Sequence, residues 1–219
     1  ISYKEAQGIV LEAFGAFSPR MAEIAKMFFD KNWIDVGPRK NKRGGAFSSS
    51  TVPFVHPYIL VNYTGKIRDV MTLAHELGHG VHQYLARKQG LFHANTPLTT
   101  AETASVFAEM LVFHKLIETI TDPKKRLSFL LYKLGDIFAT VARQVVMTRF
   151  EEAMHSERRS KDEIPTLRMN EIWLEVSKPM FGDSVELTEN YGWWWMYIPH
   201  FIHSPFYCYA YSFGELLVL

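Results

Sequence analysis

Thr72-Leu73-Ala74-His75-Glu76-Leu77-Gly78-His79-Gly80-Val81-His82 is the stretch on which the fold and chemistry of this chain turn. Around it Val70, Leu73, Ala74, Leu77, Val81, Tyr84 and Leu85 recur at three- and four-residue steps, which predicts an amphipathic helix. Successive helical residues rotate about 100°, so His75 and His79 project from one face, one above the other. Two neutral imidazoles so placed can share one Zn²⁺ at about 2.0–2.1 Å. Glu76 sits beside a ligand and can reach a zinc-bound water without occupying a coordination position. That pairing suits peptide hydrolysis, in which the metal acidifies the water and the carboxylate takes its proton. With nine histidines in 219 residues, composition predicts about 0.03 chance occurrences of the pattern.

A catalytic zinc needs three protein ligands and one open position. The third ligand should come from another element, and Glu102, early in the next predicted helix, is the candidate. Thr99-x-x-Glu102 also fits a capping box, in which Glu102 would only satisfy a backbone donor, and the residues alone favour neither role. Ser105 and Glu109 share a face with Glu102 and are placed to hydrogen-bond the liganding imidazoles, as readily as they are placed to face solvent. His82 falls on the same side of the wheel as His75 but one turn further along, so packing or support of a ligand is preferred for it. Gly78 and Gly80 each cost a helix about 1 kcal/mol relative to Ala; small residues there let a neighbouring backbone or a substrate lie close.

Outward from this helix, helical spacing dominates. Ser2 and Ser18-Pro19 read as helix starts, and residues 37–50 as a loop. Arg39-Lys40-Asn41-Lys42-Arg43 within that loop reads as a solvated tip rather than a polyanion site. Residues 53–63 carry the marks of a strand. Helices are predicted over about 99–120, from Asp122-Pro123 onwards, over 166–177 and from about 206 to the end. In the long one, Leu127, Leu130, Leu131, Leu134, Phe138, Val141, Val145 and Val146 are expected to face inward. No composition shift marks a boundary between two cores. The expectation is one mainly α domain over residues 1–219, with a small β-sheet at the edge of an active-site cleft.

The balance of 24 Lys and Arg against 23 Asp and Glu argues against a nucleic-acid partner or an anionic membrane surface. No apolar run approaches the roughly 18 residues needed to span a bilayer. A single cysteine, Cys208, cannot form an internal disulfide, so nothing indicates an oxidising compartment. The chain opens at Ile1 and closes on Leu216-Leu217-Val218-Leu219, which reads as a piece of a longer protein.

The segment 72–82, followed by Pro97 and Glu102-Thr103-Ala104-Ser105, resembles oligoendopeptidase F and its thimet-oligopeptidase-like relatives. Gly44-Gly45-Ala46-Phe47-Ser48, Pro57 to Asn62, and Ile198-Pro199-His200-Phe201 continuing to Tyr211 agree in the same order, so the resemblance covers nearly the whole chain. It implies a cytoplasmic, zincin-like, multi-helix metalloendopeptidase that cuts short peptides in a deep channel. On that resemblance His75, His79 and Glu102 would hold one Zn²⁺ per chain and Glu76 would be the general base. His200, Tyr207 and Tyr211 would lie near the scissile carbonyl. Members of the family are much longer, with a further N-terminal helical part and a C-terminal tail, so the chain is expected to be the catalytic half. Two other readings stand beside this one. A zinc carboxypeptidase would use the same metal motif, and a non-catalytic helical module would bind peptides with zinc in a structural role or absent.

Overall fold

Ser2 and Ser18 start the first two helices. In the computed structural model, which describes residues 1–219, the Ser2 hydroxyl accepts from Glu5 N while the Glu5 carboxylate accepts from Ser2 N, a reciprocal cap for α1 (Tyr3–Phe17). Ser18 caps α2 (Pro19–Asp30), whose proline stands at the first helical position, where no N–H is needed. There follow β1 (Ile34–Asp35), β2 (Phe47–Ser49), β3 (Tyr58–Leu60), α3 (Ile67–Ala86), α4 (Leu98–Thr119) and α5 (Pro123–Phe138). A π turn (Ala139–Arg143) leads into α6 (Gln144–Ser160), and α7 (Thr166–Phe181), α8 (His200–His203) and α9 (Tyr209–Val218) complete the chain. The protein is thus mainly helical with one small sheet, as expected. None of its helices is long and apolar enough to cross a membrane.

The chain forms two compact units, Ile1–Leu131 with Leu217–Leu219, and Tyr132–Leu216. In the first, Val10, Phe14, Phe28, Leu73, Leu77 and Val112 of α1 to α4 are fully or almost fully buried in one cluster. Each such side chain contributes about 1.5–3 kcal/mol. In the second, Val146, Phe150, Ile172, Trp173, Ile198 and Cys208 form a separate cluster. The sequence shows no boundary between two cores because the dividing point falls inside the helical pattern of α5. Along that helix Leu127, Leu131, Leu134 and Phe138 are exposed, and Leu130 more marginally, as is Val145 in α6, so six of the residues expected to face inward do not. Periodicity reveals a face that prefers cover; it does not supply the cover. Trp193 and Trp194 are exposed on a 3₁₀ segment (Glu189–Tyr197).

The sheet order is β1-β3-β2, with β3 parallel to β1 (Ile34↔Ile59) and antiparallel to β2 (Ser48↔Ile59). The predicted strand is therefore shorter than 53–63 and central. Its apolar β-formers mark burial, and the edges belong to the two short strands β1 and β2, neither of which is read as a strand from the sequence.

Arg39, Lys40, Asn41 and Arg43 of the basic loop are exposed, as expected of a solvated tip, but Lys42 is not. The Lys42 side chain is buried, and its Nζ donates to Asp35 O (3.0 Å), Asp35 Oδ1 (3.1 Å), Gly37 O (2.9 Å) and Val61 O (2.7 Å). Arg39 binds the same carboxylate with both terminal nitrogens, and together these partners hold the Asp35 pKa down to about 2. An ammonium is thus the tie between β1, the loop and the end of β3. Lys42→Met, which keeps most of the stem and removes the donor, should lower stability by about 2 kcal/mol, measured by urea denaturation. Lys40→Met, at an exposed position, should change it by less than about 0.5 kcal/mol.

Candidate metal centre

The metal helix begins at a fixed point. Asp69 in its first turn accepts from Thr64 N (2.7 Å), Thr64 Oγ1 (2.7 Å) and Lys66 N (3.1 Å), and a carboxylate at this end also suits the helix dipole. Further along, His75 and His79 emerge as the spacing predicts. Their ligand atoms and a Glu102 oxygen lie within 4.8 Å of one another. Nε2 of His79 is 3.2 Å from Nε2 of His75, and Glu102 Oε2 is 3.5 Å from the first imidazole and 3.7 Å from the second. Ligands at 2.0–2.1 Å around a tetrahedral ion stand about 3.3 Å apart, so this donor set fits Zn²⁺ with little adjustment.

Glu102 is not a capping residue. α4 starts at Leu98 with Pro97 at the cap, so Thr99 lies inside the helix and the capping box does not form. The carboxylate is buried, accepts from Ser105 Oγ at 3.2 Å, and faces the two histidines. Gly78 makes that approach possible. A Cβ there would stand 2.6 Å from Ala104 O, 2.7 Å from Ala108 Cβ and 2.8 Å from Ser105 Cα. The α4 backbone therefore packs directly onto α3 at the residue preceding His79. At Gly80 a Cβ would meet the ends of the Phe28 and Ile59 side chains at 2.9–3.1 Å.

Glu109 takes the other ring nitrogen of His75, at 2.6 Å from Nδ1, and so turns Nε2 toward His79 and Glu102. Burial works to lower the His75 pKa, but Glu109 and then Glu102 raise it to about 9. Burial and the neighbouring His75 push His79 down to about 3. Burial lifts Glu76 to about 7 against the pull of His75, and lifts Glu102 to about 7 against His75 and the Ser105 hydroxyl. Three carboxylates thus surround the His75 imidazole, a donor-rich environment of the kind a dication takes. Glu76 is buried, and its Oε2 has no hydrogen-bond partner in the protein. His82 stands outside the convergent set, with its pKa lowered by burial.

His200, Tyr207 and Tyr211 gather in the second unit. The His200 and Tyr207 rings stack at 5.2 Å, the Tyr207 and Tyr211 rings meet edge-on at 5.1 Å, and His200 and Tyr211 lie 6.2 Å apart. One residue escaped the sequence reading. Gln83 accepts from Ser48 Oγ at 2.7 Å and so ties β2 to the metal helix. Its signal was present, because it continues the four-residue step from His75 through His79.

A family model described as peptidase family M3 matches residues 17–215. Oligopeptidase PepF of Bacillus subtilis is 32% identical over 215 residues, which cover 98% of this chain and 32% of that protein. The oligoendopeptidase F homolog of Borreliella burgdorferi is 32% identical over 216 residues, covering 97% of this chain and 36% of its own. The chain thus spans about a third of the length of the curated relatives it matches. Among solved structures, PZ peptidase A with an inhibitor superposes with a TM-score of 0.80 at 17% identity, covering 100% of this chain and 38% of that one, a likeness of fold.

Gly78→Ala should destabilise the protein by about 1–3 kcal/mol, because the clash is with backbone and a short side chain that cannot swing away. Gly80→Ala should cost less, because side-chain ends can give. Thermal denaturation of both variants checks the order.

Proposed function

The chain belongs to peptidase family M3, and from that membership we propose that it is the metal-binding catalytic domain of a zinc endopeptidase that hydrolyses short oligopeptides. The observation that carries the reading is the convergence of His75, His79 and Glu102 within 4.8 Å beside the buried, partly unpartnered Glu76 carboxylate. A helical peptide-binding module has no use for that last feature, since an unsatisfied buried acid costs stability.

His75, His79 and Glu102 would hold one Zn²⁺, which when bound supplies Lewis-acid polarisation of the peptide carbonyl and acidifies water. Glu109 keeps the His75 ring in its ligating orientation, and Ser105 does the same for the Glu102 carboxylate. Glu76 accepts the proton of the attacking water and returns it to the leaving amine. No side chain bonds covalently to the substrate. His200, Tyr207 and Tyr211 are assigned to donate hydrogen bonds to the carbonyl oxygen as it gains charge, where one strong donor is worth about 3–4 kcal/mol. An extended substrate would pair with β2, the edge strand tied to α3 through Ser48 and Gln83, because β3 already has a neighbour on each side. Residues 1–219 act together as one domain in this reading, and the protein is assigned to the cytoplasm, where the buried Cys208 stays reduced.

The test measures bound metal and cleavage of a quenched-fluorescent peptide. The parent and Glu76→Gln should each carry about one zinc, with turnover reduced by about 10²–10⁴-fold in the variant. Turnover that survives the substitution would end the general-base assignment. Glu109→Ala should weaken zinc affinity by about 10–100-fold, read by competition with a chelator. Unchanged affinity would return Glu109 to a packing role.

A further inference from the structure

The turn between α8 and α9 holds an unusual backbone. Phe206 takes φ of +60°, a left-handed conformation that is unfavourable for a bulky residue. Such a residue persists only where its surroundings over-determine it. The surroundings here come from α6. Glu151 is buried, and its Oε1 accepts from Phe206 N at 2.8 Å. One turn on, the His155 ring lies 4.9 Å from that of Phe206. Beyond the turn Cys208 is fully buried, and the Ser212 hydroxyl donates toward the Thr140 and Val141 carbonyls (3.2 and 3.0 Å) of the π turn. Tyr207 and Tyr211 therefore sit on a segment pinned on both sides.

A carboxylate is an expensive choice for a buried peg. Glu151 Oε2 has no hydrogen-bond partner, so the acid is desolvated for the sake of one backbone N–H, where an apolar side chain would pack at lower cost. Burial raises its pKa, while the Phe206 N–H and then His155 work against the rise. What the carboxylate provides that an apolar residue cannot is a directional grip on the amide that immediately precedes Tyr207.

We infer that Glu151 is a positioning residue: through the Phe206 amide it sets where the Tyr207 and Tyr211 phenols stand relative to His200. The inference rests on the role proposed above for those rings, and the experiment separates the two.

Glu151→Gln keeps both volume and an acceptor; Glu151→Leu keeps volume and removes the acceptor. Amide exchange at Phe206, zinc content, and kcat and KM on a quenched-fluorescent peptide are measured for both in the zinc-loaded protein. Glu151→Leu should expose the Phe206 amide to faster exchange and lower kcat by about 10–100-fold with KM within about threefold of the parent, zinc content being unchanged. Glu151→Gln should rescue kcat. In a Tyr211→Phe background the Glu151→Leu substitution should cost less than in the parent, because the two act through one group. Parent-like kcat or unchanged amide exchange in Glu151→Leu, equal losses in both variants, or full additivity with Tyr211→Phe overturns the inference. Should Glu151→Leu not fold, Glu151→Met, which keeps a similar volume and removes the carboxylate acceptor, is read in its place by the same criteria. If Tyr207→Phe and Tyr211→Phe both turn over like the parent, the role of the phenols fails and the inference falls with it. That outcome differs from one in which they lose turnover and Glu151→Leu does not.

Discussion

The contact between α3 and α4 at Gly78 is the constraint on which the centre depends. One helix can offer two ligands by itself, since a four-residue step brings His75 and His79 to one face. The third must arrive from another backbone, and helix axes ordinarily stay about 8–10 Å apart. With no Cβ at Gly78, the backbone of α4 at Ala104 and Ser105 rests against α3, and Glu102 in the adjoining turn reaches the imidazoles. Leu73, Leu77, Ala108 and Val112, all fully buried, hold the rest of that seam. The position of the Glu102 carboxylate is thus set by the absence of a methyl group.

The electrostatics of the site follow from the same closeness. Glu76 and Glu102 are drawn out of water by the packing, and Glu109 is tied to His75, so acids accumulate where burial makes ionisation costly. In a domain built only for stability, apolar residues would serve these positions better. Local rules of folding are broken where these acids gather, and the surrounding core of α1 to α4 absorbs the cost.

How much of this was legible depended on how local each constraint was. His75, His79 and the start signals at Ser2 and Ser18 follow from helix geometry over four residues, and the structure reproduces them. Glu102 was ambiguous because two local patterns overlapped. Only the actual start of α4 at Leu98 resolves them, and a cap can shift by one residue without trace in the sequence. Lys42 was read by its charge, whereas its four acceptors come from β1, the loop and β3. The apolar stripe of α5 was visible but not its exposure, since periodicity is a property of one helix and burial a property of two. Tyr207 and Tyr211 were located by resemblance; the turn that carries them is held by Glu151, 55 residues earlier in the chain, a separation no local pattern bridges.

The π turn at Ala139–Arg143 carries a last consequence. It adds one residue to what would otherwise be an unbroken α-helical spiral, and each residue rotates the helix that follows by about 100°. Leu134 and Phe138 before it face solvent, whereas Val146, Met147 and Phe150 after it face the core. Glu151 therefore points at the Phe206 amide partly by virtue of a count. Between 139 and 143 the number of residues is as binding as their kind, and a deletion that spared every functional side chain would still turn α6 like a misaligned key.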